Sequence, residues 1–390
     1  MKNKKNPFNN PKIKVPFFVP SISIMDKKMI FQTLNETQLT DGPKLRKFEK
    51  AFSKFTKSNY STGVSNATAA LHLSLKSLGI GKNDQVIVPD LTFVATANAV
   101  LMTGATPVIA DVNIDDYNIN IESIQKNITK KTRAIIPVHF AGNPCNMTKI
   151  MNIAKNNDLH VVEDCAHALG SFYKNKHVGT IGDLGCFSFY PTKNITTIEG
   201  GMIITNSKKF SDYVTTSRNH GITKTLHERY SKGLPWDYDI FETGYNYRMD
   251  EIRSSLGINQ LKRIRKINQN RRNAVKYYSE QLSSIDGIEP QTILNLEQNS
   301  CHLYIVKIDH EKFGITRDSV FQTLLKRGIQ TSVHYKPIHK FSIFKNAKSF
   351  DKLENSNSLY DQILSLPLYT GIGKKEQDIV INELKNIKNN

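Results

Sequence analysis

Short apolar runs alternate with amphipathic segments along the first half of the chain. Residues 85–112 read QVIVPD, LTFVATANAVLMTG and ATPVIADV, a pattern that predicts a strand, a loop leading into a helix, and a second strand. These Val- and Ile-rich runs lack the alternating polar positions of a strand with one face in water. They are typical of a parallel sheet that helices cover on both faces.

Similar units lie on either side of this one. A strand ending at Val64 is expected to lead into a helix from about Ala67. A strand at 160–162 is expected to deliver Glu163 and Asp164 at its carboxyl end. The alternation of strands and helices predicts an α/β fold.

Two helices are predicted ahead of the first strand. Asp26 is expected to cap one of them, and Leu45, Phe48 and Phe52 lie at helical spacing on one face of the other. The Asn- and Lys-rich residues 1–14 show no such pattern, so we expect them to form a flexible tail.

The second half of the chain predicts a smaller unit. A long helix from Asp250 to about Leu282 is followed by strand, helix and strand patterns that end at residue 337. A chain of 390 residues with 39% hydrophobic content is long enough for two domains. We expect a large domain at residues 15–250 and a small α/β domain at residues 251–390.

The formal net charge of +18 suits nucleic acid, an anionic surface or anionic small molecules as partners. The basic residues are dispersed, however. The densest run keeps Leu261, Ile264 and Ile267 at helical spacing, which indicates an amphipathic helix with a solvated cationic face. The chain has neither zinc-finger spacing nor an RNA-recognition signature, so we expect no nucleic-acid partner.

No apolar run is long enough to span a membrane, and the N-terminus lacks the apolar core of a signal sequence. We therefore expect a cytoplasmic protein without a membrane partner. The cysteines form no CxxC pair, and the histidines of HYKPIH have no carboxylate or cysteine at ligand spacing. We expect reduced thiols and no metal site.

The stretch GCFSFYPTKNITTIEGGMIIT at residues 185–205 carries the most specific chemistry. Two short strands flank a loop that contains a single lysine, Lys193. Partial burial between the strands would disfavour the ammonium and lower the pKa, as a lysine that forms a Schiff base requires. An ordinary exposed loop lysine fits the same stretch.

Further positions fit this chemistry. Asp164 follows a buried strand, where its carboxylate suits a pyridinium nitrogen, although a helix N-cap or an ion pair fits it as well. Ala67 and Thr68 open a helix whose free N–H groups suit a phosphate or an ordinary cap. Phe93 lies just past a strand end, where it stacks on a planar ring or fills the core.

The order EDCAHALGS, GDLGCFSFYPTKNITTIEGG and GYNYRM, within residues 16–367, resembles the pyridoxal-phosphate (PLP) sugar aminotransferases of the DegT/DnrJ/EryC1/StrS family. The resemblance implies the PLP-dependent transferase fold of type I, with a mixed, mostly parallel sheet flanked by helices and a smaller C-terminal α/β domain. It also implies a homodimer with a shared active site.

The resemblance assigns roles to individual residues. It makes Lys193 the catalytic Schiff-base lysine, places Asp164 on the pyridine nitrogen and places His167 beside the ring oxygen. The expected cofactor-binding set is Ala67, Thr68, Phe93, Asp164, His167, Ser188, Lys193 and, from the partner subunit, Asn246. His334 and Tyr335 are expected near the sugar. His220 fits either the substrate side or an ordinary polar surface.

The implied reaction moves an amino group from L-glutamate to a nucleotide-linked keto sugar. We expect an NDP-4-keto-6-deoxyhexose as substrate and a 4-amino sugar for surface glycans or related biosynthesis as product. A 3-keto sugar or a cyclitol ketone stays open, and so does a non-enzymatic regulatory or binding protein on the same scaffold. A sugar dehydratase with this fold has histidine in place of the lysine, so Lys193 argues against that activity.

Overall fold

The computed structural model describes residues 13–224, 233–240, 242–345 and 347–389. The predicted tail at 1–14 lies outside the described residues except for its last two positions, of which Lys14 donates its N–H to the Gly328 carbonyl at 2.9 Å. Within the described part of the chain, no helix is long and apolar enough to cross a membrane.

The apolar runs of the first half form the strands of one large sheet and a short hairpin. The strands are β1 (Tyr60–Val64), β2 (Gln85–Pro89), β3 (Thr106–Ala110), β4 (Thr132–Ile135), β5 (His160–Asp164), β6 (Phe172–Tyr173), β7 (Lys176–His177), β8 (Leu184–Ser188) and β9 (Gly201–Thr205). The sheet has the order β1-β9-β8-β5-β4-β2-β3, and β6 pairs with β7. Neighbours from β8 to β3 are parallel, whereas β9 is antiparallel to β1 and β8. The predicted mixed, mostly parallel sheet is confirmed.

Helices flank this sheet and connect its strands. Those of the first half are α1 (Ile24–Leu34), α2 (Pro43–Thr56), α3 (Ala67–Ser77), α4 (Ala95–Met102), α5 (Ile121–Lys126), α6 (Met147–Asn156) and α7 (Lys208–Ser217). Those of the second half are α8 (Glu251–Lys262), α9 (Ile264–Leu282), α10 (His310–Phe313), α11 (Arg317–Lys326), α12 (Glu354–Gln362) and α13 (Lys374–Lys388). Helix α3 packs on β8 and β9, and α2 packs on β1.

The predicted apolar face of α2 lies in the core. Phe48 and Phe52 are fully buried and pack against Phe187 and Phe189 of the lysine-bearing segment, with ring centroids 5.1–5.8 Å apart. Burying one such side chain contributes roughly 1.5–3 kcal/mol. The aromatic residues around the lysine loop therefore fix its base on the sheet.

Two predictions about helix ends are wrong. Asp26 is not the N-cap of α1, because Ser23 holds that position, and the Asp26 carboxylate at N3 accepts the Ser23 N–H at 2.7 Å. The single helix predicted from Asp250 to Leu282 is two helices that meet at Arg263. Arg263 donates to the buried Asp26 carboxylate at 2.6 Å, so a long-range contact holds the chain at this break.

The second sheet is antiparallel and consists of β10 (Ile288–Pro290), β11 (Tyr304–Ile308) and β12 (Ile363–Leu366). The strand predicted at 329–337 is wrong, because among the described residues this segment makes two isolated bridges, from Ile329 to Val15 and from Ser332 to Ser365, and no continuous strand. Helix α9 joins two hydrophobic cores. Ile267 is buried with Phe48 and Phe52 beside the large sheet, and Tyr278 is buried with residues of the second sheet. The boundary at residue 250 stays a prediction.

Glu251, the first residue of α8, ties this helix to α2. Its carboxylate is fully buried and accepts the N–H groups of Gly42, Lys44 and Leu45 at 2.8–3.1 Å. The N-cap of α2 is Gly42, which has no side chain to satisfy these donors. Glu251 therefore acts as a distant cap for α2.

We predict that Glu251→Ala lowers the free energy of unfolding by about 3 kcal/mol, because three N–H groups at the start of α2, two of them in buried hydrogen bonds, lose a charged acceptor. Glu280→Ala is the control, since Glu280 is exposed and its ion pair with Lys276 spans 3.9 Å. An exposed pair contributes at most about 1 kcal/mol. Denaturant titration checks both variants, and equal losses would contradict the capping role.

Candidate active site

A cavity of about 680 Å³ opens at the carboxyl ends of β5 and β8, beside the N-terminus of α3. The predicted site residues that line it are Ala67, Thr68, Phe93, Asp164, His167, Ser188, Lys193, His334 and Tyr335. Parallel strands that end at one edge of the sheet bring these distant segments together. The cavity is therefore the candidate active site.

Lys193 lies in the loop between β8 and β9. The Lys193 N–H donates to the Tyr190 carbonyl, and the Thr197 N–H donates to the Phe189 carbonyl, both at 2.9 Å. Part of the residue faces the open cavity, but protein surrounds the amine, and this burial lowers the pKa of Lys193 to about 8. The nearby Asp164 carboxylate partly offsets the effect of burial. A neutral, nucleophilic amine is thus accessible near physiological pH.

Asp164 ends β5 and is 5% exposed. Its two carboxylate oxygens accept from the Thr96 hydroxyl at 2.9 Å and from the Ala166 N–H at 3.1 Å. Burial raises the pKa of Asp164, while these hydrogen bonds and Lys193 act in the opposite direction. The hydrogen bonds hold the carboxylate in one orientation at the cavity wall. Sequence reasoning missed Thr96, because no local pattern links it to Asp164.

The N-terminus of α3 forms another wall. Asn66 caps the helix by accepting the Ala69 N–H at 2.8 Å. In the described structure the N–H groups of Ala67 and Thr68 have no protein acceptor. A Cβ atom at Gly201 would lie 2.6 Å from the Asn66 carbonyl, so glycine lets β9 pass this close to the helix end. Free N–H groups at a helix N-terminus attract a phosphate.

His167 and Tyr335 form a hydrogen-bonded pair in the cavity. The Ala141 N–H donates to His167 Nδ1 at 3.3 Å, so the proton of the neutral imidazole is on Nε2. Nε2 lies 3.0 Å from the Tyr335 hydroxyl. Burial lowers the pKa of His167 and raises that of Tyr335, so the imidazole is neutral and the phenol protonated. The phenol proton is free to be donated to another acceptor.

The other predicted residues take different positions. His334 Nδ1 is hydrogen-bonded to the Ser365 hydroxyl at 2.8 Å, and burial lowers the pKa of His334 to about 3. Phe93 is 56% exposed, so it is a wall of the cavity rather than a core residue. His220 and Asn246 are exposed and do not line the cavity of their own chain.

One group among the described residues has the composition of a metal site: His139, Glu163 and Cys165, whose ligand atoms lie within 4.8 Å of one another. Both Glu163 oxygens accept backbone N–H groups of residues 179–182, and His139 Nε2 lies 2.9 Å from Glu163. His139 Nδ1 accepts the Cys145 N–H at 3.1 Å. These polar atoms are already committed to hydrogen bonds, and the absence of a metal stays a prediction.

The cavity fits PLP. Its walls present an amine of lowered pKa, an oriented carboxylate, unpaired N–H groups at a helix end and aromatic side chains. These are the groups required to bind an aldehyde, a pyridine nitrogen, a phosphate and a planar ring, respectively. The binding roles of the individual residues stay predictions.

Comparison with known proteins agrees with the geometry. SpsC of Bacillus subtilis, a spore coat polysaccharide biosynthesis protein, is 35% identical over 99% of both chains. PseC of Helicobacter pylori, an aminotransferase of pseudaminic-acid biosynthesis, has a TM-score of 0.89 and 29% identity over 96% of this chain and 99% of its own. Spr1654 of Streptococcus pneumoniae, described as a sugar aminotransferase and solved in its PLP form, has a TM-score of 0.88 and 30% identity over 96% and 98%.

The profile of the DegT/DnrJ/EryC1/StrS aminotransferase family matches residues 20–385, nearly the whole chain. Together with the solved structures, this match confirms the predicted fold of type I, the PLP cofactor and the enzyme class of a PLP-dependent sugar aminotransferase. The chain belongs to the DegT/DnrJ/EryC1/StrS aminotransferase family.

Proposed function

We propose that this enzyme transfers the amino group of L-glutamate to the ketone of an NDP-4-keto-6-deoxyhexose, giving an NDP-4-amino sugar for surface-glycan or related biosynthesis. The observation that carries the proposal is the buried Lys193 amine in the same cavity as the oriented Asp164 carboxylate. The relatives named above, which act in spore coat polysaccharide and pseudaminic-acid biosynthesis, support a sugar substrate. The charge of +18 is compatible with the anionic phosphates of a nucleotide sugar.

Lys193 is the proposed acid and base. When bound, PLP supplies a carbonyl that takes the amino group and a conjugated ring that accepts electron density. Lys193 Nζ takes a proton from the amine-bearing carbon of glutamate. In the second half-reaction it gives a proton to the former ketone carbon of the sugar. A pKa of about 8 suits both directions near neutral pH.

The other cavity residues bind and orient. Asp164 faces the pyridine nitrogen in this proposal, where a charge pair at about 4 Å contributes roughly 4 kcal/mol of Coulomb energy before desolvation. Ala67 and Thr68 donate their backbone N–H groups to the phosphate, and Ser188 adds a hydroxyl. Neutral His167 and protonated Tyr335 line the wall as hydrogen-bond donors without adding charge.

We propose a homodimer in which Asn246 of the partner subunit completes the phosphate site. Asn246 is exposed and lies outside the cavity of its own chain. It pairs with Asn219 in an isolated bridge, and Leu234 and Trp236, 12 and 10 positions earlier in the chain, are exposed. Exposed apolar residues in this part of the chain favour a contact with a second subunit. The cytoplasmic location and the absence of nucleic-acid and membrane partners stay predictions.

A panel of nucleotide-linked ketones tests the substrate. The enzyme is incubated with PLP, L-glutamate carrying an isotope-labelled amino nitrogen, and a 4-keto-6-deoxyhexose, a 3-keto sugar or a cyclitol ketone. We expect labelled nitrogen at C4 of the first substrate, read by mass and by NMR. Transfer only to the 3-keto sugar or the cyclitol would contradict the proposed substrate, and release of ammonia without transfer would indicate a dehydratase.

We predict that Lys193→Ala lowers turnover by about 10³-fold or more, because it removes both the covalent attachment and the acid–base group. Borohydride reduction of the PLP-loaded wild type should attach the cofactor to the peptide containing Lys193, and the variant should give no such peptide. Lys208→Ala is the control, since Lys208 is exposed and pairs with Asp212 at 2.6 Å, away from the cavity lining. Normal transamination by Lys193→Ala would remove this lysine from the proposed role.

We predict that inactive Lys193→Ala and Asn246→Ala proteins regain activity when mixed under subunit exchange. In a hybrid dimer, one site combines the intact lysine of one subunit with the intact asparagine of the other. Random exchange makes about half of the dimers hybrid, so activity should approach roughly a quarter of the wild-type value. Mixing that leaves the activity unchanged would place Asn246 in the site of its own chain or outside the mechanism.

A further inference from the structure

A buried amide lies next to Lys193 in the chain. Asn194 is 6% exposed, and its Nδ2 donates to Asn268 Oδ1 at 2.9 Å and to the Ser300 carbonyl at 2.7 Å. Both partners are acceptors, so they fix which way the amide points. Asn194 Oδ1 is therefore left to accept a third hydrogen bond.

His302 supplies that hydrogen bond. Its Nδ1 lies 3.2 Å from Asn194 Oδ1, so the neutral imidazole carries its proton on Nδ1. Burial lowers the pKa of His302 well below its ordinary value, and His167, Lys193 and Arg271 add to this effect. The His302 ring is also packed on His167, with centroids 4.4 Å apart.

The segment of residues 299–302 is itself fixed between the cofactor-binding loops. The Ser300 hydroxyl donates to the His167 carbonyl at 2.8 Å, and the His302 N–H donates to the Ala141 carbonyl at 2.9 Å. Ser171 Oγ accepts the Ser300 N–H at 3.0 Å. Segment 299–302 thus joins the Lys193 loop to the His167 loop and to the turn at Ala141.

We propose that Asn194 and His302 are positioning residues, which hold the Lys193 loop against segment 299–302 and so keep the Lys193 amine in the buried wall of the cavity. The proposal rests on the role of Lys193 set out above. The backbone hydrogen bonds donated by Lys193 and Thr197 connect the loop only to Tyr190 and Phe189, at its own start. Asn194 instead anchors it to α9 and to segment 299–302.

Loss of this anchor has a defined consequence. A loop released toward solvent rehydrates the Lys193 ammonium, and its pKa returns toward the ordinary lysine value. Asp164 is the charged group that acts on the amine, and His167, His302 and His334 around it are neutral. Rehydration of the ammonium is therefore the main influence on the pKa of Lys193 once the loop is released.

The test uses the cofactor-free protein. A small amine-acylating reagent modifies Lys193, and peptide mass spectrometry measures the rate of this modification at each pH. In the wild type we expect labelling to rise with a midpoint near pH 8, where the ammonium deprotonates. In Asn194→Leu and His302→Phe the midpoint should rise by about one pH unit. At any pH well below the midpoint, the fraction of Lys193 in the neutral form is then about tenfold smaller than in the wild type. His302→Gln keeps an N–H donor and should restore most of the wild-type midpoint.

Ser123→Ala is the matched control, because it removes a buried hydrogen bond from the Asp111 N–H without touching Asn194, His302 or segment 299–302. This variant should lower the midpoint temperature of thermal unfolding but leave the pH midpoint of Lys193 labelling unchanged. In the loaded enzyme, Asn194→Leu should lower kcat about tenfold with little change in the KM for the sugar. An unshifted labelling midpoint in folded Asn194→Leu or His302→Phe overturns the inference. Full activity of Lys193→Ala is a different result and rejects the lysine role itself.

Discussion

The transfer of the Lys193 ammonium out of water is the constraint on which this active site depends. Burial is the largest influence on the amine and lowers its pKa to about 8, and Asp164 offsets only part of that effect. A lysine on an exposed loop would keep its proton at neutral pH and neither attack a carbonyl nor accept a proton from carbon. The aromatic contacts and buried amides around the loop thus serve reactivity as well as stability.

The topology of the large sheet supplies the partners of that amine. The antiparallel pair β8 and β9 turns back on itself and presents the lysine loop at one edge, while the parallel neighbour β5 ends at the same edge with Asp164. Gly201 then allows β9 to lie close to the N-terminus of α3. A carboxylate, an amine and free N–H donors therefore converge without any of them being adjacent in sequence.

Local pattern was sufficient for β1, β2, β3, β5, β8 and β9, and it marked Lys193 and Asp164 as candidates because each lies within three residues of an apolar run. The roles of the two residues came from the family resemblance. Local pattern was not sufficient for Thr96, whose contact with Asp164 spans 68 positions. His302 belongs to no motif, and its role emerges only from the amide it meets across 108 positions. The break in the predicted helix at Arg263 likewise depends on Asp26, a partner that helical periodicity does not reveal.

Helix α9 contributes to both hydrophobic cores, with Ile267 in one and Tyr278 in the other. Because helix formation is cooperative along a continuous backbone, neither core can open without weakening the hydrogen-bond ladder that the other depends on. Local opening of one half of the molecule is therefore coupled to local opening of the other. Amide hydrogens at the two ends of α9 should exchange with solvent as one unit, although the two ends pack in different hydrophobic cores.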